Sequence, residues 1–363
     1  MNRVLVLVPP PSAKGGISNY YATLEKMFTL DVHYILRGSR KQPNKENSVA
    51  IIVRNLSDFI RFLAKMMNST DLVHINTSLS VYSAMRDGFY ILVAKLLRVK
   101  YIVFFRGWDV DADKLIERFH MSWFRFLYLS ADSLITLSEY SRNRLLEWGY
   151  INRVYIETTV VDEKLLQWPD PPKSKEIGCD QEYVVLFLAR LQKEKGIYEL
   201  IEAVKILRFK YPDIKLVVAG YGNEYTRIKN EYREDWISLL GHVVDKDKAW
   251  AFRRAKIYVL PSYTEGMPNS VLEAMAFGLP VVCSKVGALP DILSDGMNGL
   301  LLDSISPRSI ADAIEYLYLH PSECSSMSER NKLQAKDYFA TNVVRRLEGI
   351  YMSVIQSDKN NNQ

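Results

Sequence analysis

The stretch PSYTEGMPNSVLEAMAFGLP, residues 261–280, decides how the fold of this chain is predicted. It follows an apolar run, residues 257–260, which is typical of a buried strand. A polar loop carrying Glu265 comes next, and a helix is predicted to begin near Asn269 or Ser270. Strand, loop and helix in this order are typical of parallel α/β sheets, and the free amides at a helix start attract anions. The stretch therefore predicts an α/β domain that binds a phosphorylated sugar, such as a nucleotide.

Glu273, in the first turn of that helix, has two interpretations. Its carboxylate is suited to accept hydrogen bonds from the hydroxyls of a bound sugar. Alternatively, Ser270 and Glu273 form a capping box, in which Glu273 reaches back to its own helix start. Capping leaves the loop with Glu265 unexplained, but for Glu273 alone both interpretations stay open.

Composition predicts a globular protein with more than one domain. The chain has 363 residues, of which 25% are charged and 48% hydrophobic, enough for two cores. Its net charge of +5 is uneven, because residues 1–160 hold 21 Lys and Arg against 14 Asp and Glu. Three widely spaced cysteines form neither a disulfide framework nor a metal cluster, and they favour a reducing compartment: Cys179, Cys283 and Cys324. We therefore expect a cytoplasmic protein.

Neither a signal peptide nor a membrane span is expected. The apolar run at the start of the chain ends at Pro9, too soon for a signal peptide. No run of about 18 apolar residues exists, which a membrane-spanning helix requires.

Apolar runs alternate with amphipathic segments through the first half of the chain, which predicts a parallel sheet with right-handed crossovers. Predicted strands cover residues 4–8, 32–36, 72–75, 101–105 and 133–137, and predicted helices cover 17–28, 56–67, 81–97 and 139–148. A proline-rich polar run over residues 167–182 is the best domain boundary.

A second series of the same kind follows this run. Predicted strands cover residues 183–188, 214–219, 236–239, 257–260 and 280–283, and predicted helices cover 197–210, 224–234, 246–254, 269–277 and 307–319. We therefore predict two tandem doubly wound, Rossmann-like α/β domains, residues 1–165 and 166–338, with a ligand cleft between them. The polar tail, residues 358–363, is expected to be disordered.

Two cations follow the first predicted strand of the second series. Arg190 and Lys195, the latter before Gly196, lie where α/β folds bind ligands, and both side chains are suited to a phosphate. In isolation they are better explained as solvated surface charges. Together with the helix start near Asn269, they favour a phosphate site.

The motifs of the second half together resemble the family 4 retaining glycosyltransferases of GT-B fold. The resemblance is strong from Tyr183 to about Leu302 and looser in the first half. It is carried by Arg190, by Lys195-Gly196, by Gly220-Tyr221-Gly222, by Leu240-Gly241-His242-Val243, and by the stretch from Pro261 to Val282. It implies that the last helix, in residues 339–357, packs back on the N-terminal domain.

The resemblance also implies which residues bind the diphosphate of the donor. Arg190 and Lys195 would hold the phosphates and stabilise their charge as they leave, and Gly16 would bring the first domain's backbone close to them. The backbone amides of Asn269, Ser270 and Val271 would bind the same phosphates. Each well-placed donor is worth about 3 kcal/mol of barrier, so several together would replace a metal ion. We expect neither a metal nor another cofactor.

The resemblance also implies contacts to the rest of the donor. Glu265 would face the transferred sugar, and Gly266, Met267 and Pro268 would contact its hydroxyls. Glu273 would bind the ribose, and Val243 the nucleobase. The predicted function is retaining transfer of a sugar, of the hexosyl type, from a nucleotide sugar to a glycan or lipid-linked acceptor, in cell-surface polysaccharide biosynthesis. The alternative is a catalytically weak, nucleotide-sugar-binding partner subunit.

One departure from the family's pattern motivates that alternative. Such enzymes often have His-Gly-x-Asp at the end of a first-domain strand, where this chain has Arg106-Gly107-Trp108-Asp109. Arginine cannot act as a base at neutral pH, although Arg106 is suited to bind a phosphate or an anionic acceptor in the catalytic centre. An epimerase or oxidoreductase is a weaker alternative, because Gly15-Gly16 lacks the dinucleotide-binding spacing.

The segment after Arg106 also matches a metal-binding D-x-D pattern. Asp109, Asp111 and Asp113 would supply carboxylate oxygens to a cation. Acidic residues at a helix start are, however, ordinary complements of the helix dipole, and we favour that interpretation. His74, after an apolar strand, is interpreted as a packed or capping residue.

Basic and aromatic segments of the first half suggest contact with an anionic membrane. Residues 114–129 are rich in aromatic and basic side chains, and basic residues recur in 61–65 and 95–100. A core helix with snorkelling arginines is the competing interpretation. The basic excess favours peripheral contact with the cytoplasmic membrane face, which a lipid-linked acceptor requires. Nucleic acid is not expected, since a recognition motif is absent and the pI is 8.8.

Overall fold

The computed structural model describes residues 2–13, 15–38, 48–67, 69–170 and 182–357. The chain forms two compact units, the first from residues 1–160 and 340–363 and the second from residues 161–339. The proline-rich run that predicted the boundary begins inside the second unit, and residues 171–181 and the predicted tail, 358–363, lie outside the described residues. Residues 161–170 group with the second unit because Arg253 donates to the carbonyl oxygens of Leu166 and Trp168, each at 2.7 Å.

The first unit is built on a six-stranded parallel sheet of order β2-β1-β3-β4-β5-β6. Its strands are β1 (Arg3–Val8), β2 (Asp31–Leu36), β3 (Leu72–Leu79), β4 (Lys100–Trp108), β5 (Ser133–Thr136) and β6 (Val154–Ile156). Its helices include α1 (Gly16–Leu24), α2 (Ser48–Met66), α3 (Val81–Leu96), α4 (Val110–Leu115), α5 (Met121–Leu127) and α6 (Glu139–Glu147). A π-helical turn, Ile116–His120, joins α4 to α5.

Successive side chains along the strands of the first unit point to opposite faces of the sheet, and each face is covered by its own layer of helices. Tyr101, Val103 and Phe105 of β4 join the core cluster that also contains buried residues of α2, α3 and α5. Phe104 faces the other way, toward Tyr20 of α1, whose ring lies 6.5 Å from it. Helices α2, α3 and α5 therefore cover one face of this sheet, and α1 covers the other.

The second unit is a six-stranded parallel sheet of order β12-β11-β10-β7-β8-β9. Its strands are β7 (Tyr183–Leu188), β8 (Ile214–Ala219), β9 (Ile237–Gly241), β10 (Ile257–Leu260), β11 (Val281–Ser284) and β12 (Gly299–Leu302). Its helices include α7 (Ile197–Arg208), α8 (Tyr225–Glu231), α9 (Asp245–Arg254), α10 (Asn269–Ala276), α11 (Leu289–Ile292), α12 (Pro307–Leu319) and α13 (Pro321–Ala335). The strand order reverses between β7 and β10, and ligands bind at such switch points.

The last helix, α14 (Ala340–Gln356), belongs to the first unit although it follows the second in sequence. Leu347 and Tyr351 on its inner face are fully buried. The Tyr351 hydroxyl lies 2.7 Å from His74 Nδ1, and Glu348 Oε1 accepts a hydrogen bond from the backbone N–H of Leu30 at 2.9 Å. The helix is therefore part of the first unit's core.

None of the helices in the described part of the chain is long and apolar enough to cross a membrane.

Candidate functional site

The switch point of the second unit brings together two loops that the sequence singled out. Strand β7 leads into the loop with Arg190 and Lys195, and β10 leads into the loop with Glu265. Gly196 has a φ of +70°, and a Cβ there would overlap the carbonyl oxygen of Pro261. The Tyr263 backbone N–H also donates to the Glu194 carbonyl at 2.9 Å. The glycine thus lets the lysine loop lie directly on the glutamate loop.

Lys195 and Glu265 form an ion pair at the centre of this contact. Lys195 Nζ lies 2.7 Å from Glu265 Oε1, and the two side chains are only 12% and 9% exposed. The ammonium also donates to the Thr264 carbonyl at 3.2 Å, and the Ser262 hydroxyl donates to Glu265 Oε1 at 2.7 Å. Because an ammonium has three donors, Lys195 keeps one for a ligand.

Arg190 lies at the carboxyl end of β7 and is exposed. Among the described residues it has no side-chain hydrogen bond or ion pair, so its guanidinium is available to an anion. The backbone on either side of Arg190 packs closely against Gly220 and Gly222, where a Cβ would overlap the carbonyl oxygens of Ala189 and Leu191.

Glu273 is buried, at 7% exposure, in the first turns of α10. Its Oε1 contacts Nζ of Lys248 on α9, and its Oε2 has no partner within the described residues. Burial raises the pKa of this carboxyl, and the charge of Lys248 opposes the shift. A buried carboxylate oxygen without a donor points to a hydroxyl-bearing ligand.

The capping-box interpretation of Glu273 is not supported by the helix start. The N-cap of α10 is Pro268, and no side chain caps the helix. Ser270 Oγ instead lies 2.7 Å from the hydroxyl of Tyr258, a buried residue of β10. The Val271 N–H donates to the Pro268 carbonyl at 3.1 Å, whereas the structure shows no acceptor for the amides of Asn269 and Ser270 in the part of the chain that it describes. Those two amides are thus the best placed to receive an anion.

The remaining predicted residues of the second unit lie around this centre. Gly266 is held by Ala288, whose N–H donates to the Gly266 carbonyl at 2.8 Å. Met267 is buried and Pro268 half-buried, just before α10. Val243, half-buried, lies in the loop between β9 and α9, the helix whose Lys248 contacts Glu273.

Two predicted residues, Arg106 and Gly16, lie in the first unit. The Arg106 guanidinium stacks between the rings of Tyr20 and Phe104, 3.7 Å from each centroid, and its Nε donates to Asn76 Oδ1 at 2.9 Å. Its Nη2 is buried with no partner in the described parts of the chain. Arg106 therefore presents a positioned cation at the carboxyl end of β4.

Gly16 begins α1, after the loop that follows β1. A side chain at this position would meet no atom within 4 Å, so the packing described for this unit does not require glycine. The open space is what a close approach of backbone to ligand needs.

His74 is fully buried and bridges two tyrosines, 3.3 Å from the Tyr21 hydroxyl and 2.7 Å from that of Tyr351. Burial, with Arg106 nearby, lowers the pKa of His74 well below its usual value, so the ring is neutral. The packed interpretation of His74 fits this placement.

The carboxylates of the D-x-D pattern have other partners. Asp109 caps α4, since its Oδ1 accepts from the backbone N–H of Asp111 at 2.9 Å and Ala112 at 3.2 Å. Asp113 is buried against Arg144, with Nη2 2.7 Å from Oδ1. Helix capping therefore accounts for Asp109 and an ion pair for Asp113, while the absence of a metal stays a prediction.

Lys248 is the site residue that sequence reasoning missed. It lies in the first turn of α9, where the helix dipole disfavours a cation, and such a placement is a signal that the lysine serves something other than its own helix. Its partner, Glu273, is distant in sequence, so the pair could not be found from the chain alone.

Residues 171–334 match the sequence model of a protein family, glycosyl transferases group 1. The match covers most of the second unit and includes every site residue predicted there. It confirms the glycosyltransferase resemblance, while membership of family 4 stays a prediction.

Characterised relatives are partial matches. The O-antigen chain mannosyltransferase B of Escherichia coli is 31% identical over 58% of this chain and 57% of its own length. The amylovoran biosynthesis glycosyltransferase AmsK of Erwinia amylovora is 26% identical over 69% of this chain and 61% of its own. The chain thus spans less than two thirds of either protein.

Solved structures share the fold over nearly the whole chain. Sucrose-phosphate synthase from Thermosynechococcus elongatus covers 98% of this chain and all of its own, with a TM-score of 0.75 at 16% identity. HepE from Anabaena, solved with UDP and glucose, covers 97% of this chain and all of its own, with a TM-score of 0.72 at 17% identity. At such identities the likeness establishes the fold, which is GT-B, and this confirms the predicted fold class.

Proposed function

We propose that this chain, whose second unit belongs to glycosyl transferases group 1, transfers a sugar from a nucleotide sugar to a glycan or lipid-linked acceptor with retention of the anomeric configuration. The observation that carries the proposal is the start of α10. There the amides of Asn269 and Ser270 and the buried, unpartnered Oε2 of Glu273 offer donors for phosphate and an acceptor for sugar hydroxyls within one helical turn.

The donor phosphates are proposed to bind between Arg190, Lys195 and the α10 amides. Arg190 brings a guanidinium with no competing partner among the described side chains, and Lys195 brings its remaining N–H donor. Both cations stay in place as the diphosphate leaves and its charge grows, which lowers the barrier. This arrangement would need no metal ion.

The sugar parts of the donor are proposed to meet the two glutamates. Glu273 accepts the ribose hydroxyls on Oε2 while Lys248 keeps its Oε1 charged. Glu265 faces the transferred sugar, and since both of its described donors reach Oε1, its Oε2 is left for the ligand. Val243 is proposed to contact the nucleobase.

The first unit is proposed to bind the acceptor. Arg106 cannot take a proton from an acceptor hydroxyl, but its unpartnered Nη2 is suited to bind an acceptor phosphate. A retaining reaction in which the leaving phosphate itself receives the acceptor proton needs no other base. A phosphate-bearing lipid-linked acceptor would place the enzyme on a membrane face, and relatives named for O-antigen and amylovoran assembly suggest cell-surface polysaccharide synthesis.

The test is a transfer assay over a panel of nucleotide sugars with metal chelated by EDTA. The panel begins with activated mannose and glucose, the sugars named for the relative from E. coli and for the HepE structure. The expected result is turnover with one donor, with an α-linked donor giving an α-linked product by NMR. An inverted product, or activity that EDTA abolishes and Mn²⁺ restores, would contradict the mechanism.

A partner subunit without catalysis is the second candidate, because arginine occupies the place of the usual histidine. It predicts tight nucleotide binding with no turnover on any plausible acceptor. Arg106→His separates the two candidates. If the wild type is inactive and the variant gains activity, the chain is a partner subunit whose site lost catalysis with its histidine. If the wild type is active and the variant loses activity, Arg106 takes part in the reaction.

A further inference from the structure

Helix α2 is apolar on the side that faces away from its own unit. Val49, Ile52, Val53, Leu56 and Ile60 are all more than half exposed. At 100° per residue these positions fall on one stripe, opposite Asp58 and Phe62, which are buried. An outer helix face is ordinarily polar, so this stripe requires a partner.

The stripe continues across the neighbouring helices of the same layer. Helix α3 packs beside α2, with the Phe62 and Tyr90 rings 5.1 Å apart, and it exposes Phe89. Gly88 lets Trp123 of α5 approach α3 on the other side. Further exposed apolar residues of α3, the π-helical turn and α5 are Tyr82, Met85, Leu96, Phe119 and Phe126. We call the exposed side of α2, α3 and residues 110–127 the three-helix face.

The charges of the three-helix face are unequally exposed. Three of its carboxylates, those of Asp58, Asp87 and Asp113, are buried with arginine partners. The exposed charged residues are mainly basic: Arg61, Lys65, Lys114, Arg118 and Arg125, against Asp111 and Glu117. An apolar surface bordered by cations complements an anionic lipid bilayer better than a protein partner, whose rim would carry both signs.

The three-helix face also contains an apolar crevice of about 250 Å³ between α3 and the π-helical turn. Val81, Ala84, Met85, Ile116, His120 and Trp123 line it. Since its walls are almost entirely hydrocarbon and aromatic, a hydrocarbon chain is the ligand that fits its chemistry.

We propose that the three-helix face docks on an anionic membrane, with the α2 stripe in the interface and a lipid hydrocarbon chain entering the crevice beside Trp123. The inference deepens the lipid-linked acceptor of the proposed function and rests on it for its biological purpose. The binding itself is measured separately from sugar transfer.

The test uses the full chain and vesicles of phosphatidylcholine with or without phosphatidylglycerol. Wild-type protein is expected to float with the anionic vesicles and less with the neutral ones, and added salt should weaken binding. The variant Ile52→Ser/Leu56→Ser/Ile60→Ser should lose at least about tenfold in partitioning. A matched control removes three exposed apolar side chains elsewhere, Ile151→Ser/Phe209→Ser/Leu333→Ser, and should bind as wild type does.

The crevice is tested by quenching with lipids whose acyl chains are brominated. Quenching of tryptophan fluorescence should fall in Trp123→Phe and persist in Trp236→Phe, a buried tryptophan of the second unit.

Three outcomes would overturn the proposal. The wild type does not float with vesicles, the triple variant and its control lose vesicle binding equally, or α2 mediates a dimer whose formation does not depend on lipid. Transfer to a water-soluble acceptor should be unchanged by the triple variant. If transfer is absent from wild type while flotation behaves as expected, the proposed function fails and the docking inference stands.

Discussion

The carboxyl of Glu273 ties stability to pH in a direction opposite to that of most acidic residues. Burial raises its pKa above the ordinary 4.5, so the folded chain holds this proton more tightly than the unfolded chain does. The free energy of unfolding therefore falls as pH rises from about 4.5 through the raised pKa. We expect Glu273→Gln to melt above wild type at neutral pH, with the difference shrinking as the pH is lowered to 4.5.

The same variant should bind donor less well. Loss of a charge-assisted hydrogen bond to a hydroxyl predicts a rise in the donor Kd of about tenfold or more. Thermal melts across pH, together with donor titration, check both effects. Glu329→Gln, at an exposed carboxylate, is the control and should change neither. A Glu273→Gln variant with lower stability and normal donor affinity would contradict the assignment.

The buried pair Lys195–Glu265 should show strong coupling. Lys195→Ala leaves Glu265 charged and nearly buried, which predicts a loss of about 3 kcal/mol in the free energy of unfolding. In the double variant with Glu265→Ala, the losses should fall short of their sum by about 2 kcal/mol. Urea unfolding measures the cycle, and the exposed pair Lys332–Glu329 should couple by only about 0.3 kcal/mol. Additive losses at both pairs would show that the buried contact contributes nothing.

Single residues were predictable where their chemistry is local. Arg190, Lys195 and Glu265 follow strand ends, and the sequence alone shows that position. Lys248 was not found, because its value lies in one contact with Glu273 across two helices. The two interpretations of Glu273 also required atomic positions, since spacing alone does not tell a cap from a binding group.

At the scale of elements, Gly196 is the residue that lets the two loops of the site touch, because a glycine there allows the lysine loop to lie on the loop after β10. Gly196→Ala adds a Cβ where the Pro261 carbonyl already lies, at a φ of +70°. We expect a loss of more than about 1 kcal/mol in the free energy of unfolding and weaker donor binding. Gly349→Ala in α14 is the matched control, since nothing lies within 4 Å and the residue is helical. It should stabilise the chain by about 1 kcal/mol.

Elements were predicted best where buried strands are uniformly apolar. Runs such as residues 4–8 and 183–188 match β1 and β7, because a strand covered on both faces leaves no room for polar alternation. Helix α13 and strand β12 were missed. Helix α13 is exposed along much of its length and is therefore rich in polar residues, and β12 is a four-residue edge strand that begins at Gly299.

Helix α2 shows a different limit of sequence reasoning. Its predicted start, residue 56, was late, and the missed first turns contain Val49, Ile52 and Val53. The structure begins the helix at Ser48 and leaves those side chains exposed. The expectation that apolar residues are buried within their own domain fails for a surface that binds a partner, as we propose for α2 and a membrane.

At the scale of the whole molecule, α14 should decide whether the first unit folds. It buries Val343, Leu347, Ile350, Tyr351 and Val354 in that unit, worth on the order of 10 kcal/mol, which is as large as the stability of a typical domain. A chain ending at Phe339 is therefore expected to keep the second unit folded and to lose the first. Hydrogen exchange, read separately for each unit, measures this.

A linked variant controls for mere truncation. Residues 1–160 joined to 340–357 by a short Gly-Ser linker should regain the fold of the first unit. A short linker suffices because the residues at the two crossing points, Val161 and Phe339, are bridged to each other. Protection of the first unit in the chain ending at Phe339 would contradict the expectation.

The domain boundary was placed a few residues late, at 165, for a physical reason. Proline-rich composition marks where a chain is extended, whereas a unit ends where its contacts end. Here the Val161 backbone N–H donates to the Tyr338 carbonyl at 2.9 Å, so the chain joins the second unit at residue 161, before the proline-rich run begins. The two-unit organisation followed from the repeated strand–helix pattern, and the GT-B class from motifs in the second unit alone.

The return of α14 to the first unit also fixes an order of events on the ribosome. Residues 1–160 leave the exit tunnel before the second unit does, yet their core lacks Leu347 and Tyr351 until translation has passed Phe339. The second unit has all of its residues by Phe339 and is free to fold while the first still waits for its last helix. The unit that is made first is therefore completed after the other, and through that interval the side chains that α14 covers stay open to solvent.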